Sequence, residues 1–361
     1  MTATLDLQTL PRYDPNQTYA WNYEHAPDPV EFHVPSLGGL CDFCGLPVAS
    51  PLGIAAGPLL NGRWVLYYAS LGFDVLTYKT VRSGPRPCYP LPNLLPVECG
   101  QLNGSEGSLP ASTQMRGSWA VSFGMPSQEP GVWRADIEAT RRRLSGVKVL
   151  SVSVVGTIQE GWTLDDLAND YARCAKWAVE SGADCIESNF SCPNVPTCDG
   201  QLYQNAASSA LVAQRVREAI GRTPYILKIG HLTDRAAAAE LLRAVSPFVD
   251  ALAMTNSVAT TVIGPDGKLM FDGQRRGICG DAVRQASLAQ TRLFAGLVRE
   301  MGLKLALIGV GGASTAGHVR EYLAAGATSV HLATAAMVNP AVGAAIREGL
   351  LSTGSLPAAP G

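Results

Sequence analysis

The stretch "LGIAAGPLLNG", residues 52–62, decides the fold of this chain. A short apolar run breaks at Gly-Pro, and an amphipathic segment follows. A doubly wound open sheet ordinarily carries a G-x-G-x-x-G fingerprint in its first strand-to-helix turn. The turn here, "AAGPLLNG" at 55–62, lacks it. Outward from this point the same unit recurs: a β-branched or apolar run, a turn with Gly, Asn or Ser, then a helical segment. The runs predict strands at 52–56, 73–79, 149–155, 184–190, 225–229, 250–256, 305–310 and 329–334. Spacing near 3.6, as in "AAAAELLRAV" and "GHVREYLAAG", predicts helices near 62–71, 132–146, 164–181, 205–220, 234–246, 285–302, 314–325 and 338–351.

Eight strand–helix units in strict alternation imply parallel strands with helices outside. Eight is also the number that closes a TIM barrel. The predicted fold class is therefore α/β, a (β/α)8 TIM barrel with an N-terminal arm and two long loops on its C-terminal face. Residues 1–48, rich in Pro, Tyr and acidic residues with weak periodicity, read as the arm, and 49–361 as the barrel. Insertions at 80–131 and 257–284 interrupt the alternation. Structureless stretches of that length in a compact domain are usually lids or binding loops. Both follow a strand's C-terminal end, the face where such barrels place their chemistry.

Composition narrows the function. Of the 361 residues 47% are hydrophobic and 16% charged, so a large core is available. A net charge of −2 gives no general attraction to nucleic acid or to an acidic membrane. No apolar run is long enough to cross a bilayer, and no signal-like start precedes the arm, so the expected location is cytoplasmic. The nine cysteines are odd in number, and Cys174 and Cys185 sit in apolar periodic segments as small hydrophobes. The one C-x-x-C, Cys41 to Cys44, has no second pair to complete a zinc site, and no iron–sulfur run is present. These read as reduced structural thiols, and no metal is expected.

Residues suited to chemistry gather at the predicted strand ends: Ala55-Ala56-Gly57, Lys79, Asn189, Lys228, Asn256-Ser257, Gly311-Gly312 and Ala333-Thr334. Lysine is seldom buried without a partner, so two at strand ends are informative. "IGVGGASTAGHV", 308–319, reads as an anion cradle. Its glycines admit close backbone approach, and the next helix begins with free N–H groups and a positive dipole end. In such barrels the phosphate site commonly follows strands seven and eight.

The motifs "SPLGIAAGPLLNG", "TYKTVRS", "SFGMP", "NFSCPNVP", "LKI", "MTNS", "GICG" and "IGVGGASTAGHV...GATSVHLAT" stand in the order seen in dihydroorotate dehydrogenases. The chain resembles that family over roughly residues 45–350. The resemblance implies an FMN-dependent barrel that moves a hydride from a dihydropyrimidine ring carbon to flavin N5, and a homodimer. It gives Cys192 the role of base, as in the soluble class; membrane-bound relatives use serine there and add a membrane helix. An ordinary thiol titrates near ~8.5, and nearby lysines raise its thiolate fraction. A proline-stiffened turn aims the base at one C–H bond.

By the same resemblance Lys228 lies at the flavin N1–O2 edge and stabilises developing charge. Lys79 bridges flavin and substrate. Gly311, Gly312, Ala333 and Thr334 offer N–H groups to the phosphate. Ala55, Ala56, Gly57, Thr80, Gly277, Cys279 and Gly280 line the ring. Phe123, Gly124, Met125, Asn189, Asn194, Asn256 and Ser257 hold the substrate. One position departs: the family's substrate-binding asparagine aligns with Val121, which offers no side-chain hydrogen bond. A lost partner for a buried polar group costs on the order of 1–3 kcal/mol. Either Ser122 or the insertion compensates, or the pocket serves another cyclic substrate, with a reductase as one form of that alternative. A tRNA dihydrouridine synthase requires a basic surface, which the charge balance disfavours; a flavin-binding protein without turnover is the non-enzymatic alternative. Fumarate, NAD through an iron–sulfur partner, and a quinone remain open as acceptors.

Overall fold

A computed structural model describes residues 9–191 and 201–352. Cys192 and Asn194 lie outside the described residues. Eight parallel strands close a barrel: β1 (Leu52–Ile54), β2 (Val75–Val81), β3 (Val149–Val154), β4 (Cys185–Asn189), β5 (Tyr225–Lys228), β6 (Ala251–Met254), β7 (Ala306–Val310) and β8 (Ser329–Leu332). Both faces of the strands are covered, as in β2, where all seven residues are buried. The outer layer is α1 (Gly62–Ser70), α2 (Pro130–Arg143), α3 (Leu164–Glu180), α4 (Ala206–Ile220), α5 (Arg235–Val245), α6 (Arg284–Glu300), α7 (Ala316–Ala324), α8 (Thr334–Val338) and α9 (Val342–Ser352). Side-chain caps set several starts: Asn61, Thr163, Asn205, Asp234 and Thr315 each accept the backbone N–H three residues on.

Two expectations need correction. The helix near 338–351 is α9, which starts only at Val342; Pro340, which has no N–H and forces Asn339 into an extended conformation, separates it from the short α8 before it. The insertions are not structureless. They pair with each other in a four-stranded antiparallel sheet ordered Val258–Thr260, Arg276–Gly280, Ser118–Val121, Leu94–Pro96. Leu109–Pro110 adds a parallel pair with Val262–Ile263. The first insertion also starts later, because β2 runs on to Val81.

A hairpin, Cys41–Phe43 with Leu46–Val48, closes the N-terminal end of the barrel. Its Phe43 and Val48 pack with interior residues Val75, Val149, Cys185, Ile226 and Ile308. Cys41 opens the hairpin opposite Val48, and Cys44 lies in its turn. The arm carries a helix, Tyr19–Glu24, that its weak periodicity hid. It is fastened to α1: Trp64 Nε1 donates to Asn22 O at 3.0 Å, Asn61 Nδ2 to Tyr23 O at 2.7 Å and Tyr67 Oη to Pro11 O at 2.7 Å.

His331 on β8 is buried against Phe43, ring centroids 5.8 Å apart. Burial, and then the Lys228 charge, push its imidazole down to about 3. Between that value and the ordinary ~6.5 the unfolded chain binds a proton that the folded chain refuses. Stability from this group is therefore complete above the ordinary value and is lost as pH falls toward 3, at up to about 1.4 kcal/mol per pH unit. Urea midpoints measured across pH 4–7 are expected to fall less steeply for His331→Asn than for the parent protein; parallel curves would refute this.

Candidate active site

The C-terminal strand ends enclose a cavity of about 820 Å³, open mouth included. Ala55, Ala56 and Gly57 line it after β1, Lys79 and Thr80 on β2, Asn189 on β4, Lys228 on β5, Asn256 and Ser257 after β6, and Ala333 and Thr334 after β8. The insertion sheet roofs it with Phe123, Gly124, Met125, Gly277 and Cys279. Trp119, Leu94, Val310 and Met337 complete the lining and were not singled out from sequence. Only the pairing of the insertions brings Trp119 there, opposite Cys279.

Two lysines reach the same turn. Lys228 Nζ lies 3.5 Å from Ala56 O, and Lys79 Nζ lies 3.4 Å from Gly57 O. Lys228 is only 3% exposed. Lys79 also stands 4.6 Å from the Phe123 ring centroid and 5.8 Å from that of Tyr19, distances at which a ring face attracts an ammonium. Tyr19 belongs to the arm, so the arm shapes this site.

Asn189 and Asn256 grip the two backbone groups of one residue, Ser191. Asn189 Oδ1 accepts the Ser191 N–H at 3.1 Å, and Asn256 Nδ2 donates to the Ser191 carbonyl. The chain that enters the Cys192 turn is thus held at its last described residue. Asn189 Nδ2 donates to Thr80 Oγ1 at 3.4 Å.

Ser122 does not join the cavity. Val121 lines it, so the next side chain on the extended strand points to the other face. There Ser122 Oγ accepts from Arg276 Nε at 2.9 Å. Gly311 is also outside the lining, and its carbonyl accepts from Tyr322 Oη at 2.5 Å. A second hollow of about 570 Å³ is bordered by Gly280, Gly312, Ser314, Thr334 and Ala335. Thr334 is common to both hollows. Gly312 (φ +69°) must be glycine, since a Cβ there would lie 2.7 Å from Gly280 O. The α7 N-terminus is capped by its own Thr315. The hollow borders instead the loop before α7 and the start of α8.

Among the described residues no cluster of His, Cys, Asp and Glu is arranged to hold a metal, and no helix is long and apolar enough to cross a membrane.

Comparison with known proteins agrees with this geometry. The family model described as "Dihydroorotate dehydrogenase" matches residues 40–353. The chain is 32% identical over 358 residues to the dihydroorotate dehydrogenase of Dictyostelium discoideum, covering 91% of this chain and 95% of that one. It is 30% identical over 312 residues to the catalytic subunit of dihydroorotate dehydrogenase B (NAD(+)) of Desulforudis audaxviator, covering 85% and 89%. In fold it is similar to DHODH of Eimeria tenella, solved with ferulenol: TM-score 0.70, 18% identity, 92% of this chain and 88% of that one.

Proposed function

Since this chain belongs to the dihydroorotate dehydrogenase family, we propose that it oxidises dihydroorotate with FMN in the cavity described above. One observation carries the reading: Lys79 and Lys228 converge from two strands on the 55–57 turn, inside a pocket otherwise walled by uncharged side chains. The residues suit a flavin mononucleotide. Ala55, Ala56 and Gly57 present small groups to a flat ring, and the Gly280–Gly312 hollow, too tight for a Cβ, suits the phosphate.

FMN, when bound, supplies the N5 atom that accepts the hydride. Lys228 holds positive charge where the ring system gains electrons. Lys79, kept in place by Phe123 and Tyr19, would meet both the flavin and the substrate. Asn189 and Asn256 fix Ser191 and so direct the turn that follows it. Cys192 takes the proton from the carbon beside the hydride donor, and a ring C=C bond results. Its role rests on the "NFSCPNVP" motif.

Oxidised protein mixed with dihydroorotate in a stopped-flow cell is expected to lose its yellow absorbance. Cys192→Ala is expected to slow that bleaching by about 10²–10⁴-fold, the usual worth of a general base. If dithionite bleaches the flavin and dihydroorotate does not, the substrate is wrong. Val121 supports a second reading, the same chemistry on another cyclic substrate. With Ser122 turned away, neither residue offers a polar side chain to the cavity.

A further inference from the structure

Beneath the cavity floor the barrel interior is unexpectedly polar. Thr77 Oγ1, Ser151 Oγ, Glu187 Oε1 and both ring nitrogens of His331 are buried and have no hydrogen-bond partner among the described residues. Branched apolar side chains ordinarily fill this space. Glu187 is 2% exposed, and acids are almost never so deep unless paired. Its carboxyl is raised by burial and drawn back down, first of all, by Lys228. The register explains the proximity: Glu187 on β4 stands opposite Ile226 on β5, two residues before Lys228. His331 also feels the Lys228 charge. Room for its ring comes from Gly53, where a Cβ would lie 2.4 Å from it.

A hydrogen-bond chain climbs from Glu187 to the cavity. Ser153 stands directly opposite Glu187 in the ladder between β3 and β4, with its hydroxyl turned to the carboxyl. Ser153 Oγ and Thr80 Oγ1 are 3.0 Å apart, and Asn189 Nδ2 donates to Thr80 Oγ1 at 3.4 Å. An amide N–H2 only donates, and each hydroxyl has one proton to give. Thr80 therefore turns its proton on Ser153, and Ser153 on Glu187. The chain has one polarity and ends on an acceptor. At its upper end Asn189 is left with Oδ1 toward the Ser191 N–H.

We infer that Glu187 is a positioning residue for the proposed reaction: its carboxylate is the buried counter-charge to Lys228 and the acceptor that orients the Ser153–Thr80–Asn189 chain. The inference rests on the function proposed above. Glu187 offsets part of the positive field that Lys228 presents to the cavity, so it holds down the reduction potential of a flavin bound there. A carboxylate kept only for packing has no such effect.

The test is spectroelectrochemistry on the flavin-loaded full chain at one buffered pH. Glu187→Gln keeps an acceptor for Ser153 and removes the charge. It is expected to favour the reduced flavin about tenfold or more, an upward shift of roughly 30 mV for a two-electron couple. In a Lys228→Met background Glu187, buried without its counter-charge, takes up a proton, so the same substitution there is expected to shift nothing. An unmoved or lowered potential, or an equal shift without Lys228, overturns the inference. Should Glu187→Gln fail to fold, Ser153→Ala cuts the chain one link higher. Its expected effect is a several-fold rise in the dihydroorotate KM with the potential unchanged, and an unaltered KM refutes the chain. Protein that takes up no flavin would instead refute the proposed function.

Discussion

Replacing Asp74 with alanine is expected to lower folding stability by about 3–5 kcal/mol, the cost of breaking a buried ion pair from one side. Asp74 immediately precedes β2 and is 1% exposed; Arg347, on α9, is 3% exposed. The Arg347 guanidinium pairs with Asp74 Oδ2. Ser50 Oγ donates to that same oxygen at 2.5 Å, and Lys148 Nζ donates to Asp74 Oδ1 at 2.7 Å. One carboxylate thus joins the segment before β1, the approach to β3 and the last helix. Arg347 Nε and Nη1 further donate to Gly72 O and Pro35 O. Those carbonyl bonds survive the substitution, but the guanidinium then keeps its charge indoors with no anion. Against a total of about 5–15 kcal/mol for a native protein, the loss is large. Denaturant titration measures it. The double variant Asp74→Ala/Arg347→Met is expected to be less destabilised than the sum of its parts. A loss under about 1 kcal/mol for Asp74→Ala alone would show that the pair holds nothing together.

Lys228→Met is expected to slow flavin reduction by dihydroorotate by about 10²–10³-fold, the usual effect of removing one preorganised donor from a developing charge. Methionine keeps the unbranched stem and its packing in the barrel, and Glu187, left without its counter-charge, neutralises by taking up a proton, so the effect reports the missing cation. The position makes the lysine hard to replace. Its neighbour across the ladder is Asn189, and its Nζ rests by Ala56 O, so no other cation on β5 reaches that part of the floor. Single-turnover mixing separates the chemical step from acceptor turnover. A rate within threefold of the parent would remove Lys228 from the mechanism.

Much of this architecture was legible in the residue order because the barrel repeats one local unit. Each strand is a short run buried on both faces, and several helices start at a cap that bonds three residues ahead, as Asn61 does to Trp64. Both signals act over a few residues, so periodicity recovers them. The lysines, asparagines and glycines of the site were legible for a related reason: parallel strands deliver their C-terminal ends to one face, so residues far apart in the chain must meet there.

What the order of residues left open depends on contacts between distant segments. Ser122 and Arg276, 154 positions apart, bond only because two Pro- and Gly-rich insertions pair as a sheet whose strands are too short to show a period. That pairing turns Val121 into the cavity and Ser122 out of it, which no local pattern reveals. Tyr19 reaches Lys79 from an arm that has no periodicity of its own. Glu187 occupies an interior position of the strand CIESN, and its meaning appears only when pairing with β5 sets it beside Lys228. The residue order by itself determined the eight repeating units and the face on which their ends collect, because hydrogen bonding and burial within each unit are local. Tertiary structure alone decided which charges share the dry interior, because an electrostatic neighbour is defined by distance in space.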